Sequence, residues 1–69
     1  MKHIVLWELE NISYTLVARV SDSDEVFEYV CAYGYDKTTK TWTQGHYFKT
    51  LVTAYNYMVA LLNEFNSED

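Results

Sequence analysis

Few side chains in this chain are able to do covalent or metal chemistry. They are one cysteine, Cys31, two histidines, His3 and His46, and two close carboxylate pairs, Glu8/Glu10 and Asp22/Asp24. A thiol beside an imidazole is the minimum for a nucleophile–base pair. Cys31, however, falls inside an apolar, β-rich run with no basic neighbour in sequence to lower its pKa, and it reads as a packing residue. No Cys-x-x-Cys or His-x-x-x-His spacing is present, so a structural zinc site is not expected. Glu8 and Glu10 would project from one side of a strand end. Asp22 and Asp24 sit in a polar stretch with no apolar pocket nearby to raise a carboxyl pKa, and that stretch lacks a calcium-loop pattern. There is no glycine-rich phosphate loop, and a chain this short is expected to struggle to form a pocket of ~300 Å³. The expectation is a non-enzyme with no cofactor and no metal.

The elements that would carry these residues are legible from period and punctuation. Residues 2–10 are nearly continuously apolar and β-rich, with Ile4 and Leu6 on one side and Val5, Trp7 and Leu9 on the other. Glu10-Asn11 marks a turn. Over 12–20 the alternation is clean: Ile12, Tyr14, Leu16, Ala18 and Val20 face one way, and Ser13, Thr15, Val17 and Arg19 the other. Ser21–Glu25 is a polar loop. A third strand over 26–35 sets Phe27, Tyr29, Cys31, Tyr33 and Tyr35 against Val26, Glu28, Val30, Ala32 and Gly34. Residues 36–40 have the composition of a hairpin loop and 41–47 read as a shorter fourth strand. Gly45 is expected to bend the chain between this strand and the next element, with His46-Tyr47-Phe48 stapling that corner.

The period then changes. Phe48, Leu51, Tyr55, Met58, Leu62 and Phe65 recur at spacings of three and four, which predicts an amphipathic helix over 50–65. Thr50 is its N-cap, Val52, Ala54, Val59 and Leu61 widen the stripe, and residues 66–69 are expected to fray. The predicted fold is α+β: a four-stranded antiparallel sheet in ββββα order, with one C-terminal helix on one face. The 69 residues make one domain (1–69), with two glycines and no proline. No apolar run is long enough to span a membrane, and charge interrupts the start before a signal-peptide core forms. A lone cysteine fits a reducing compartment. A cytoplasmic location is expected.

Charge narrows the partners. Ten acidic and five basic residues give −5. Residues 1–35 carry −4 (Lys2 and Arg19 against Glu8, Glu10, Asp22, Asp24, Glu25 and Glu28), and residues 36–49 carry +2 (Lys37, Lys40 and Lys49 against Asp36). Glu64, Glu68 and Asp69 supply the remaining −3. Three lysines around one hairpin are too few for a phosphate-backbone or anionic-lipid surface, so direct nucleic-acid and membrane binding are not expected. An acidic surface suits a basic protein partner, although acidity also serves plain solubility. The aromatic count adds a second signal, with seven Tyr, three Phe and two Trp. One helix covers one sheet face, both faces of strands 1 and 3 are partly apolar, and a binding or self-association surface is expected on what is left bare. Base stacking on such a sheet would need basic flanks, and these flanks are acidic.

The stretch Tyr33-Gly34-Tyr35-Asp36 through Trp42-Thr43-Gln44-Gly45-His46-Tyr47-Phe48 resembles small proteins of Gram-positive bacteria, their phages and mobile elements, over roughly residues 26–65. Short acidic single-domain chains of this kind are similar to anti-CRISPR and other phage-encoded inhibitors. The resemblance implies a non-enzymatic inhibitor that occludes a host DNA-handling nuclease complex. On this reading Asp22, Asp24, Glu25 and Glu28 steer the partner, and Tyr29, Tyr33, Tyr35 and Trp42 anchor it. The alternative is a structural homodimerisation module with no nucleic-acid-related target, the uncovered sheet face or the helix stripe pairing across a two-fold axis.

Overall fold

A computed structural model describes residues 2–20 and 27–67. Its elements are β1 (Lys2–Leu9), a single 3-10 turn (Glu10–Ile12), β2 (Tyr14–Val20), β3 (Phe27–Tyr33), β4 (Gln44–Phe48) and α1 (Leu51–Asn66). The strands form one antiparallel meander in the order β1-β2-β3-β4, and the α+β ββββα architecture is as expected. The polar loop 21–25, the first residue of the expected third strand (Val26) and tail residues 68–69 lie outside the described residues. Among the described residues, no helix is long and apolar enough to cross a membrane.

Boundaries shift where backbone chemistry intervenes. The β1–β2 connection is the 3-10 turn, and Ser13 rather than Asn11 takes the left-handed conformation that ends it (φ 62°). β3 stops at Tyr33 because Gly34 turns left-handed at φ 70°, a region open to glycine at little steric cost. Thr41 does not start a strand; it makes one isolated bridge to Asp36. The Asp36 carboxylate accepts from the Thr38 and Thr39 amides at 2.8 and 3.4 Å, and Lys40 closes the loop in a left-handed conformation. Thr50 caps α1 as its sequence position predicts, its hydroxyl accepting from the Thr53 amide.

The helix covers the aromatic side of the sheet and packs on β2, β3 and β4. Leu16 and Cys31 from the sheet meet Ala54 and Met58 from the helix, with Leu9 completing the fully enclosed set. Trp7, Tyr14, Tyr29, Phe48, Tyr57 and Leu62 wall it in. Ala54 has no exposed surface, and its carbonyl accepts from the Cys31 thiol of β3 at 3.5 Å. The helix is rotated from the expected stripe. Its centre line runs through Ala54 and Met58, and Leu51, Tyr55 and Phe65 are left about half exposed.

Two expectations about the sheet faces need correction. A bulge at Leu6 shifts the β1 register between Val5 and Trp7, so Trp7 opposes Leu16 and Leu9 opposes Tyr14 on the helix side, together with Ile4. An inserted residue reverses side-chain parity from that point on. The aliphatic side of β3 is not bare either. Val17, Val30 and Ala32 are sealed by Tyr35 and Trp42, which the 34–43 connection folds back over the sheet. Gly45 accordingly does not bend the chain into the helix. It lies within β4, where an added Cβ would sit 2.8 Å from the Trp42 indole nitrogen and 3.1 Å from Val30.

A chain of this length has a total stability of ~3–10 kcal/mol at about 0.05–0.15 kcal/mol per residue. Met58→Ala deletes the largest fully buried side chain. It is expected to cost ~2–5 kcal/mol, and urea unfolding followed by circular dichroism measures that loss.

Candidate functional site

One helix cannot reach across four strands, and the shortfall lies at β1. Between β1 and the first turns of α1 runs an open apolar cleft of about 480 Å³, lined by Leu6, Trp7, Leu16, Leu51, Val52 and Tyr55. Each residue is there for a local reason. The bulge turns Trp7 under the helix, where its indole stacks on the Tyr55 ring at 5.4 Å and 23°. The rotation of α1 about its Ala54–Met58 line brings Leu51, Val52 and Tyr55 to the flank facing β1. Val52 is 67% exposed and Ile4, on the helix side of β1, is 61% exposed. Among the described residues, no charged side chain lines the cleft. An exposed apolar surface of this continuity marks an interaction site more often than ordinary solvent-facing surface.

A second depression, of about 390 Å³, has a mixed polar and apolar lining. It is lined by Glu8, Leu9, Glu10, Ser13, Tyr14, Thr15, Gly34, Tyr35 and Lys37. The bulge also places Glu8 here, 3.0 Å from the Lys37 ammonium. That hydrogen bond, then the charge of Glu8, holds the Lys37 amine above its ordinary pKa. The chain is thus large enough for two surface depressions above ~300 Å³, which corrects the expectation drawn from chain length. Among the described residues, no three of His, Cys, Asp and Glu converge as a metal-binding group would require.

The expected anchors are dispersed. Asp22, Asp24 and Glu25 lie outside the described residues. Tyr29 is half-buried against the helix-side core, and Tyr33 on the same face packs its ring on Tyr14 at 5.2 Å. Tyr35, Trp42 and Glu28 belong to the opposite face. There the Tyr35 hydroxyl lies 2.8 Å from His3 Nε2, the Trp42 indole donates to the Tyr47 hydroxyl at 3.1 Å, and Glu28 pairs with Arg19 at 2.6 Å. The Arg19 guanidinium lies 4.9 Å from the Tyr47 ring centre and 6.0 Å from that of Trp42. The aromatic rings of that face are therefore occupied by their own neighbours. The residues that do line the open apolar surface, Ile4, Leu6, Leu51, Val52 and Tyr55, were not singled out from sequence as a site. Two signals pointed toward them: a β1 apolar on both sides, and a helix stripe wider than one sheet face absorbs.

Compared with family models, curated proteins and solved structures, the chain matches none.

Cys31 and His46 are direct cross-strand partners, so the sheet does bring the thiol and an imidazole side by side. The thiol is nevertheless fully buried and donates to the Ala54 carbonyl at 3.5 Å, while the His46 ring packs on Tyr57 at 4.8 Å. Burial pushes the Cys31 thiol up from 9.0 to about 11, and burial is also the leading cause that raises Tyr57. An acid whose folded pKa is raised stabilises the fold fully below its unfolded pKa and loses that contribution as pH climbs to the folded value. Stability should therefore fall between pH 9 and 11. Cys31→Ala should flatten part of that decline, as read by urea midpoints across pH. At neutral pH a disulfide reagent should label Cys31 only as fast as the protein unfolds. Gly45→Ala should destabilise by ~1–3 kcal/mol through overpacking against the Trp42 ring, with an altered tryptophan emission maximum as its optical sign.

Proposed function

We propose that this protein acts by binding another protein, without catalysing a reaction, and that the docking surface is the apolar cleft between β1 and α1. The observation that carries this reading is the cleft itself, about 480 Å³ lined by aliphatic and aromatic side chains with no charge among them. A partner inserting apolar or aromatic side chains there would gain ~25 cal/mol for each Å² of apolar surface removed from water. Tyr55 and Trp7 provide flat, rigid contact area of the kind that concentrates binding energy.

The narrower form of the proposal is an inhibitor, phage- or mobile-element-encoded, that occludes a host nuclease complex. It draws support from the −5 net charge and the acidic stretch Asp22, Asp24 and Glu25, which would steer a basic partner by long-range attraction. The two forms separate by salt. Val52→Asp should lower retention of any partner from a cell extract by ~10-fold or more, by placing a charge in an apolar interface. Asp22→Lys with Glu25→Lys should instead slow association and flatten its salt dependence. Retention indifferent to Val52→Asp removes the cleft from the mechanism, and an unchanged on-rate in the double variant removes the inhibitor's acidic steering.

A further inference from the structure

β1 is an edge strand, paired with β2 alone, and it is eight residues long with no proline. From His3 to Trp7 it carries no formal charge at pH 7. Edge strands are ordinarily protected by charges, prolines or a covering element. Here, among the described residues, the protection is the bulge at Leu6, and the helix flank beside it is apolar as well. Resting on the protein-binding reading above, we propose that the occupant of the β1–α1 surface is a second copy of this chain. The two copies are related by a two-fold axis perpendicular to the sheet, with the β1 strands antiparallel at the seam.

This symmetry leaves both helices on the same side of the joined sheet. The Leu51–Val52–Tyr55 flank of each helix then meets its counterpart above a seam of Ile4, Leu6 and Trp7 from both copies. One operation thus covers the open strand edge, the uncovered part of β1 and the helix flank together. Two chains of −5 repel overall, and the residues lining the cleft, Leu6, Trp7, Leu16, Leu51, Val52 and Tyr55, add no charge to that repulsion.

The area is sufficient. Ile4, Val5, Leu6, Leu51, Val52 and Tyr55 are each 40–67% exposed. At ~150–200 Å² for a fully exposed side chain of this size they offer on the order of 500 Å² per copy, or about 1,000 Å² for the pair, the size at which specific interfaces begin. The bulge interrupts the backbone ladder near the axis, so side-chain burial supplies most of the association.

Sedimentation of the full chain from micromolar to submillimolar concentration tests this. A reversible rise from one-subunit to two-subunit mass is expected. Val52→Asp and Ile4→Thr alter exposed side chains and should each raise the dimer dissociation constant by ~10-fold or more, with circular dichroism of the folded monomer unchanged. A one-subunit mass at every concentration overturns the proposal, as does a two-subunit mass indifferent to both variants. If the chain stays monomeric while extract retention still depends on Val52, the self-pairing fails and the protein-binding reading stands. If retention is indifferent as well, both fail.

Discussion

The width of a helix against the width of a sheet governs this molecule. Four strands at ~4.8 Å spacing make a surface approaching 20 Å across, and a helix with its side chains is ~10–12 Å in diameter. One sixteen-residue helix therefore seals β2, β3 and β4 on one side and leaves both β1 and the reverse face to be managed otherwise. The reverse face is closed by the chain's own β3–β4 connection, which lays Tyr35 and Trp42 over Val17, Val30 and Ala32. β1 is only partly managed. Its bulge rotates Trp7 under the helix edge, and the remaining apolar surface stays open beside it.

The enclosed core is small, and close approach compensates. Ala54 and Met58 meet Leu16 and Cys31 with almost no exposed surface, and the Cys31 thiol finds a carbonyl acceptor on the helix itself. The reverse face is held by more polar means. His3, Tyr35, Trp42 and Tyr47 are joined by hydrogen bonds and ring contacts, with the Arg19–Glu28 pair beside them. Paired and ring-stacked in this way, those groups hold the reverse face together.

Much of the fold was legible because period alone decides it. The alternation of β2, the change to three-and-four spacing after Phe48, and Thr50 as the cap all appear in the structure as the sequence indicates. What was not legible depended on events that leave no period. A bulge is one extra residue in an unbroken apolar run, and Ile4 to Trp7 contains no glycine or polar break to mark it. Tyr35 continues the alternation of β3 on paper, yet Gly34 at φ 70° sends it to the other side. The role of Gly45 was equally hidden, because it concerns the space that Trp42 takes up three residues earlier. The open apolar surface combines two of these effects, the bulge and the helix rotation.

The meander order has a kinetic side. Every strand pairs with its neighbour in sequence, so the sheet can zip by short loop closures, each of low entropic cost. The central core is different, because Leu16 and Cys31 have no partner in the sheet comparable to Ala54 and Met58, which arrive only with the last element. During synthesis the sheet's aromatic side must therefore wait, wet and adhesive, until residues 54–58 have emerged. The helix then acts as the latch that ends this vulnerable interval.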